Sequence, residues 1–206
     1  MSRLVYFITH PNVVNSRDLP VPQWPLSDRG LWRMRESLRQ PWVGGISAIY
    51  CSREQKAIDG AQVLAAHRSL IVQQVHELGE NDRSSTGFLP PAEFEEVANQ
   101  FFARPRESVL GWEPAVNAQR RICGAVDSII SADRSAGTIA IVSHGAVGTL
   151  LFCHLSGFEI SRNWDQPAKG GGNYFSFTAE TRRVLHGWKP VDGLAPTQPL
   201  DGPSRL

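Results

Sequence analysis

The hydrophobic pattern divides the chain into short apolar runs that are separated by amphipathic segments. The clearest runs cover residues 4–9, 46–50, 70–75 and 138–142. These runs are rich in β-branched or aromatic residues, which predicts buried strands. Segments with a helical spacing of apolar residues lie between them, and strands that alternate with helices are typical of an α/β fold. We therefore predict a three-layer α/β/α sandwich with a mostly parallel central sheet.

Five helices and two further strands complete the predicted elements. Ser27 is a suitable N-cap for the first helix, because its side chain can accept a hydrogen bond from the first turn. A Gly triplet at 170–172 precedes a strand-like run without a following Gly-Lys-Ser/Thr, so a turn into a strand is favoured over a phosphate loop. The helices are expected at residues 28–39, 57–65, 91–102, 113–132 and 146–155, and the last strands at 173–177 and 183–185.

Polar residues follow three of the predicted strands. His10 follows the first run, Ser143-His144-Gly145 follows the fourth, and Lys56 lies shortly after the second. Ligands of open α/β sheets bind outside the carboxyl ends of the strands, so these side chains are expected at one edge. A lone histidine is more often a structural residue, but two histidines at two strand ends favour a nucleophile in an anion-binding pocket.

Four motifs occur in a fixed order along the chain. They are Thr9-His10-Pro11, Lys-Ala-Ile-Asp-Gly-Ala at 56–61, Leu78-Gly79-Glu80 and Ser143-His144-Gly145. This set resembles the histidine phosphatase superfamily, also called phosphoglycerate-mutase-like, which has Arg-His-Gly, Arg-Ala-x-x-Thr-Ala, Leu-x-Glu and Ser-His-Gly at these places. Residues 25–30 resemble a helix entry of the same family. The resemblance implies the phosphoglycerate-mutase-like fold.

The resemblance also implies roles for individual residues. His10 is the expected nucleophile, whose neutral imidazole would attack phosphorus and form a phosphohistidine. His144 and the N–H of Gly145 are expected to bind phosphoryl oxygens at a helix start, where the macrodipole favours anions. Lys56 would supply a positive charge, and Glu80 would protonate the leaving group and then activate water.

Two of the implied assignments are weakly fixed by the sequence. Glu77 and Asp82 flank Glu80 in the same polar loop, so the choice of the acid rests on the Leu-x-Glu spacing of the family. Asn15 would correspond to an Asn that the family has after its nucleophile, although the spacing here is shorter by one residue. Asn15 is therefore a secondary candidate for phosphate binding.

The sequence departs from the family around the expected phosphate. Thr9 replaces an Arg, so a guanidinium that binds two phosphoryl oxygens becomes one neutral hydroxyl. Lys56 replaces the second Arg, and Pro11 replaces the Gly and has no N–H. Loss of one preorganised donor typically costs about 10²–10³ in rate. We therefore expect a weakened phosphohydrolase of a small phosphorylated metabolite or, alternatively, a catalytically silent member that binds a phosphorylated ligand or a protein.

The composition fits one globular domain. The chain has 206 residues, of which 41% are hydrophobic and 20% charged, enough for one sizeable core. We predict one domain over residues 1–189, with 76–113 as a loop or cap insertion. Residues 190–206 are rich in Pro, Gly and Asp and are predicted to form a disordered tail.

Charge and cysteine content narrow the expected partners. A net charge of +1 without a basic cluster argues against nucleic acid, and the apolar runs are too short for a membrane span. Cys51, Cys123 and Cys153 are expected to be reduced thiols of a cytoplasmic protein. The expected ligand is a small phosphorylated molecule or inorganic phosphate, with no cofactor and no metal. A weaker alternative is metal-dependent hydrolysis, and a homodimer is one option for the oligomeric state.

Overall fold

A six-stranded sheet forms the centre of the computed structural model, which describes residues 2–167 and 170–193. The strands are β1 (Leu4–Thr9), β2 (Ile46–Cys51), β3 (Val72–Gln74), β4 (Thr138–Ser143), β5 (Asn173–Thr178) and β6 (Val184–Pro190). Their order across the sheet is β3-β2-β4-β1-β5-β6. The first four strands are mutually parallel, and β5 is antiparallel to both of its neighbours. The prediction of a mostly parallel sheet is confirmed.

Helices cover both faces of this sheet. Side chains alternate along β1, so that Val5 and Phe7 lie in one core cluster whereas Tyr6 and Ile8 lie in the other. The α-helices in the described part of the chain are α1 (Asp28–Ser37), α2 (Gln55–Arg68), α3 (Pro91–Ala103), α4 (Ala115–Ala132) and α5 (Gly145–Ser156). The first cluster contains residues of α3, α4 and α5, and the second contains residues of α1 and α2. The predicted three-layer architecture is therefore present.

The element boundaries lie within three residues of the predicted ones except for β6, which runs to Pro190 although the sequence pattern ended it at residue 185. The Ser27 side chain accepts a hydrogen bond from the Gly30 N–H at 3.2 Å, as its capping role predicts. The predicted third strand began at Leu70, but the Leu70 N–H bonds to Ala65 O and ends α2, with Ser69 in a left-handed conformation (φ 54°). The strand is consequently shorter than predicted.

The first residues of the predicted tail belong to the folded domain. Pro190 is the last residue of β6, Val191 is fully buried, and Asp192 forms an ion pair with Arg33 at 3.0 Å. Residues 190–193 therefore pack onto the domain, because an apolar side chain and a paired carboxylate hold them there. The rest of the predicted tail, residues 194–206, lies outside the described residues.

The segment predicted as a loop or cap, residues 76–113, contains α3. Its aromatic side chains Phe101 and Trp112 are 1% and 2% exposed and belong to the core cluster that also holds Ile122. They thus pack helices onto the sheet. None of the helices within the described ranges combines the length and apolar composition that crossing a membrane requires.

Candidate active site

Three neighbouring strand ends meet at the carboxyl edge of the sheet. β4 lies between β1 and β2, and backbone hydrogen bonds connect the residues that follow them. The His10 N–H donates to Ser143 O at 3.0 Å, and the Ser52 N–H donates to Val142 O at 3.1 Å. The rings of His10 and His144 consequently lie 5.2 Å apart between centroids, with an interplanar angle of 68°. Tertiary structure thus brings together the two histidines that the sequence singled out.

The His10 ring is held as a neutral imidazole with one free nitrogen. Its Nδ1 lies 2.9 Å from the Pro11 carbonyl oxygen, which can only accept, so the ring proton is assigned to Nδ1. Burial and the nearby Lys56 lower the pKa of His10 to about 4. The ring is therefore neutral at neutral pH, and Nε2 keeps its lone pair for attack on an electrophile.

The Gly triplet positions the backbone of His10. Gly170, Gly171 and Gly172 all have positive φ angles, of 75°, 70° and 66°. The Gly172 N–H donates to His10 O at 3.0 Å, and a Cβ on Gly171 would lie only 2.3 Å from the same oxygen. Only glycine allows both this conformation and this approach. The triplet is the predicted turn into a strand, and it also orders the main chain of His10.

The His144 ring is fully buried and carries one unpaired nitrogen. Its Nε2 lies 2.6 Å from Ser52 Oγ, and that oxygen accepts the Glu54 N–H at 3.2 Å. Because this oxygen already accepts one hydrogen bond, we assign the Ser52 hydroxyl hydrogen to His144 Nε2, which places the ring proton on Nδ1. The opposite assignment would place the proton on Nε2, which faces Glu54 Oε1 at 3.3 Å. Nδ1 is buried without a hydrogen-bond partner among the described residues. Burial lowers the pKa of His144 well below its ordinary value, so the ring is a neutral donor that lacks an acceptor.

The Glu54 carboxylate lies next to Lys56, the cation that the sequence predicted to bind phosphate. Glu54 Oε2 forms an ion pair with Lys56 Nζ, which also donates to Val21 O at 2.9 Å. Glu54 Oε1 accepts the Glu80 N–H at 2.9 Å and lies 3.3 Å from His144 Nε2. Burial raises the pKa of Glu54, but the adjacent His144 ring, the Lys56 ammonium and the Glu80 N–H together hold it well below its usual range. The cation predicted to bind phosphate is therefore already paired.

Glu80 lies at the start of α5. Its carboxylate accepts the N–H groups of Ala146 at 3.2 Å and Val147 at 3.1 Å. Burial raises its pKa above the ordinary glutamate value. The group at the start of α5 is thus the Glu80 carboxyl, and burial increases its tendency to hold a proton. Glu77, the neighbouring candidate for the acid, is exposed.

The Thr9 hydroxyl forms hydrogen bonds with other groups of the protein. It donates to Gln166 Oε1 at 2.7 Å and accepts the Asn173 N–H at 3.0 Å. Gln166 Oε1 also accepts from Asn173 Nδ2 at 2.9 Å, so two donors fix the carboxamide oxygen. Gln166 Nε2 then lies against Gly145, 2.5 Å from the position that a Cβ would take there. A neutral NH₂ group therefore stands beside the start of α5.

Glu54 and Gln166 belong to this cluster but were not among the predicted site residues. Glu54 could have been noticed, because it lies three residues after a buried strand and precedes Lys56 by two residues. Gln166 carries no local signal, because it lies in a loop that only the folded chain brings to Thr9. Asn15 is exposed in the loop before α1, and its role stays a prediction.

A cavity of about 790 Å³ opens beside the cluster and is lined in part by Glu54 and Glu80. Its other walls come from residues 20–22 and from the loop at 79–84. The Arg83 guanidinium lines this cavity and lies 5.0 Å from the centroid of the Phe94 ring, a cation–π contact that restrains it. The cavity is large enough for a small polar metabolite. No group of three His, Cys, Asp or Glu side chains in residues 2–167 and 170–193 is arranged to hold a metal ion.

Several solved structures share this fold, and two of the following three are named as phosphatases. YhfR of Bacillus stearothermophilus is 22% identical, with a TM-score of 0.71 over 90% of this chain and 95% of that chain. The mycobacterial glucosyl-3-phosphoglycerate phosphatase is 16% identical, with a TM-score of 0.71 over 91% and 96%. The alpha-ribazole phosphatase of Shigella flexneri is 16% identical, with a TM-score of 0.65 over 92% and 96%. These similarities confirm the predicted fold.

The family is established by the sequence itself. No curated protein matches the chain. The model of the histidine phosphatase superfamily, branch 1, matches residues 6–186, which include both histidines and the segments after β2 and β3. The family indicated by the four motifs is thereby confirmed: the chain belongs to branch 1 of the histidine phosphatase superfamily.

Proposed function

We propose that the protein is a phosphohydrolase that removes the phosphoryl group of a small phosphorylated metabolite through a phosphohistidine on His10. The observation that carries the proposal is the Nδ1 contact to Pro11 O at 2.9 Å, which leaves Nε2 as a neutral nucleophile beside His144. In the first step Nε2 forms a bond to phosphorus while the bond from phosphorus to the leaving oxygen breaks. In the second step water takes the phosphoryl group from Nε2 and releases inorganic phosphate.

Donors for the phosphoryl oxygens come from neutral groups as well as from Lys56. The unpaired Nδ1–H of His144 is a buried donor, and such a group left without an acceptor costs about 1–3 kcal/mol. A phosphoryl oxygen would satisfy it. The Gln166 NH₂ group lies beside Gly145 at the helix start, in the region where the resemblance places the phosphate. These neutral donors would partly replace the guanidinium that is absent at Thr9.

Glu80 is suited to both proton transfers. Burial raises its pKa, so a larger fraction of the carboxyl group is protonated near neutral pH and can protonate the leaving oxygen. The resulting carboxylate is stabilised by the Ala146 and Val147 N–H groups, and it can take a proton from the attacking water. The cavity that Glu80 lines would hold the rest of the metabolite.

Structural relatives support a phosphate-type ligand. The mycobacterial glucosyl-3-phosphoglycerate phosphatase has been solved with inorganic phosphate and with VO₃, and these structures match this chain with TM-scores of 0.72 and 0.70. Both bound species are oxyanions. We infer that the edge of the sheet around His10 binds a phosphoryl group in this chain as well.

The test is phosphate release from p-nitrophenyl phosphate by the parent protein, His10→Ala and His67→Ala. His67 is exposed near the end of α2 and serves as the matched control. We expect turnover by the parent and the control, and none by His10→Ala, because the variant lacks the nucleophile. Equal turnover by His10→Ala would contradict the phosphohistidine mechanism.

The second candidate is a catalytically silent member of the family that binds phosphorylated ligands. The ion pair between Glu54 and Lys56 favours it, because this pair removes the positive charge that phosphoryl transfer requires. Binding of inorganic phosphate without turnover of any aryl phosphate would support this candidate.

A further inference from the structure

The carboxylate of Glu54 stands where an incoming phosphoryl group must interact. Its side chain is 15% exposed, pairs with Lys56 and lies 3.3 Å from His144 Nε2. It also lines the cavity through which a ligand would enter. We propose that Glu54 makes this site select a protonated, monoanionic phosphoryl group by accepting a hydrogen bond from its P–OH. This inference rests on the proposed function only in placing the phosphoryl group beside His10.

Hydrogen-bond chemistry distinguishes a protonated from a deprotonated phosphoryl group beside Glu54. An ionised carboxylate is an acceptor only, and the oxygens of a fully deprotonated phosphoryl group are acceptors only. Two such groups that share Lys56 would face each other without a proton between them, and their like charges repel more strongly at a buried site than in water. A phosphoryl group that carries one proton donates it to Glu54, which turns the repulsion into a charge-assisted hydrogen bond.

The charges around Glu54 lead to the same conclusion. Lys56 faces it from α2, His144 from the end of β4, and Glu80 from the loop after β3. Burial lowers the pKa of both His144 and His10, so the two rings add no positive charge near neutral pH. The Lys56 ammonium is balanced by Glu54 and the Arg121 guanidinium by Glu113. Arg53 and Arg83 line the cavity as further cations, together with the Asp82 carboxylate. Such a cluster suits a monoanion better than a dianion.

Glu54 keeps its charge over the useful pH range. Burial raises its pKa, but His144, the Lys56 ammonium and the Glu80 N–H together hold it well below the usual glutamate range. Phosphate monoesters lose their second proton near pH 6, so mildly acidic conditions increase the protonated ligand without neutralising Glu54. The ligand, and not the carboxylate, therefore supplies the proton.

A comparison of phosphate with sulfate separates the hydrogen bond from P–OH to Glu54 from general anion binding. Both are tetrahedral oxyanions, but inorganic phosphate keeps a P–OH at mildly acidic to neutral pH whereas sulfate has none. A hydrogen bond to a charged group contributes enough to favour phosphate over sulfate by roughly 10- to 150-fold. Protonation of His10 or His144 would strengthen the binding of both anions, so the phosphate-to-sulfate ratio reports the proton of the ligand.

The experiment is calorimetric titration of inorganic phosphate and of sulfate into the parent protein, Glu54→Gln and Glu36→Gln. The Glu54→Gln substitution keeps the shape of the side chain and removes its charge, while Glu36→Gln removes the same charge from an exposed ion pair with Arg39. We expect the parent and the control to prefer phosphate by the stated factor. We expect the ratio for Glu54→Gln to fall to within about threefold of unity, mainly through tighter sulfate binding.

Several outcomes would overturn the inference. They are equal binding of the two anions by the parent, no binding of either anion, or an unchanged ratio in Glu54→Gln. The first two need only the parent protein, so they apply even if the variant does not fold. Because the titrations require no turnover, a preference for phosphate in a protein without His10-dependent activity would reject the proposed function and leave this inference standing. His10-dependent turnover without a preference for phosphate would reject this inference and leave the proposed function standing.

Discussion

We predict that the Ser52 hydroxyl controls which nitrogen of His144 carries the proton, and Ser52→Ala tests this role. In the parent, Ser52 Oγ accepts the Glu54 N–H and donates to His144 Nε2 at 2.6 Å, which keeps the ring proton on Nδ1. Without the hydroxyl, the proton is free to move to Nε2, where Glu54 Oε1 at 3.3 Å can accept it. His144 Nδ1 would then be an acceptor that faces the phosphoryl oxygens and repels them.

The expected magnitude follows from the loss of one preorganised donor. Such a loss typically lowers kcat by about 10²–10³. The free energy of unfolding should fall by only about 1 kcal/mol, because the His144 ring exchanges its bond with Ser52 for one with Glu54. Catalysis and stability are thus predicted to respond very differently to the same substitution.

The assay combines kcat for p-nitrophenyl phosphate with ¹⁵N NMR of the His144 ring and urea unfolding. Ser37→Ala is the matched control, because Ser37 is equally buried and donates to Met34 O at 2.6 Å, at the end of α1 and outside the histidine cluster. It should lose similar stability and keep its activity. A Ser52→Ala variant whose ring proton stays on Nδ1 and whose kcat is within about twofold of the parent would refute the reasoning.

Two further predictions concern pH and stability. Activity should require neutral His10 and protonated Glu80, so it should rise above about pH 4 and fall as pH passes the raised pKa of Glu80. Glu80→Gln should lower kcat by about 10²–10⁴ and leave only the fall near pH 6, where a monoester ligand loses its proton. A Glu80→Gln variant with the kcat of the parent would exclude Glu80 as the acid. Arg33→Met should lower the free energy of unfolding by about 3 kcal/mol at neutral pH, because it removes the ion-pair partner of Asp192 and the donor to Gly171 O and Gly172 O. Burial raises the pKa of Asp192, but Arg33 holds it below its usual value, so the ion-pair part of this loss is present above about pH 4 and disappears as pH falls through the lowered pKa. Urea unfolding curves at several pH values measure it, and equal stability of parent and variant at neutral pH would contradict it.

The fold was largely predictable because its signals are local. β4 reads Thr-Ile-Ala-Ile-Val-Ser, and its four central residues are all fully buried, so one apolar run identified a strand covered on both faces. Ser27 could be recognised as a cap because it bonds a residue only three positions away. The boundary of β3 was predicted less well, since a left-handed Ser69 ends α2 and shortens the strand, and a serine gives no sign of that conformation.

The candidate site was predictable in its histidines but not in its electrostatics. His10 and His144 follow strands that the pattern reveals, and parallel strands bring their carboxyl ends to one edge. The sequence also showed Lys56, but not that Glu54 would neutralise it, because the pairing depends on how the first turn of α2 is oriented. The contact of Gln166 with Thr9 could not be predicted from the sequence, because 157 positions separate the two residues.

The sequence by itself determined the layers, the strand ends and the family, because each depends on neighbouring residues or on motifs in a fixed order. Tertiary structure alone decided the charge of the site. It paired Lys56 with Glu54, placed Glu80 on the N–H groups of α5 and left His144 Nδ1 without an acceptor among the described residues. Charge at a buried site depends on distances of a few ångströms between segments that are remote in sequence, and only folding sets those distances.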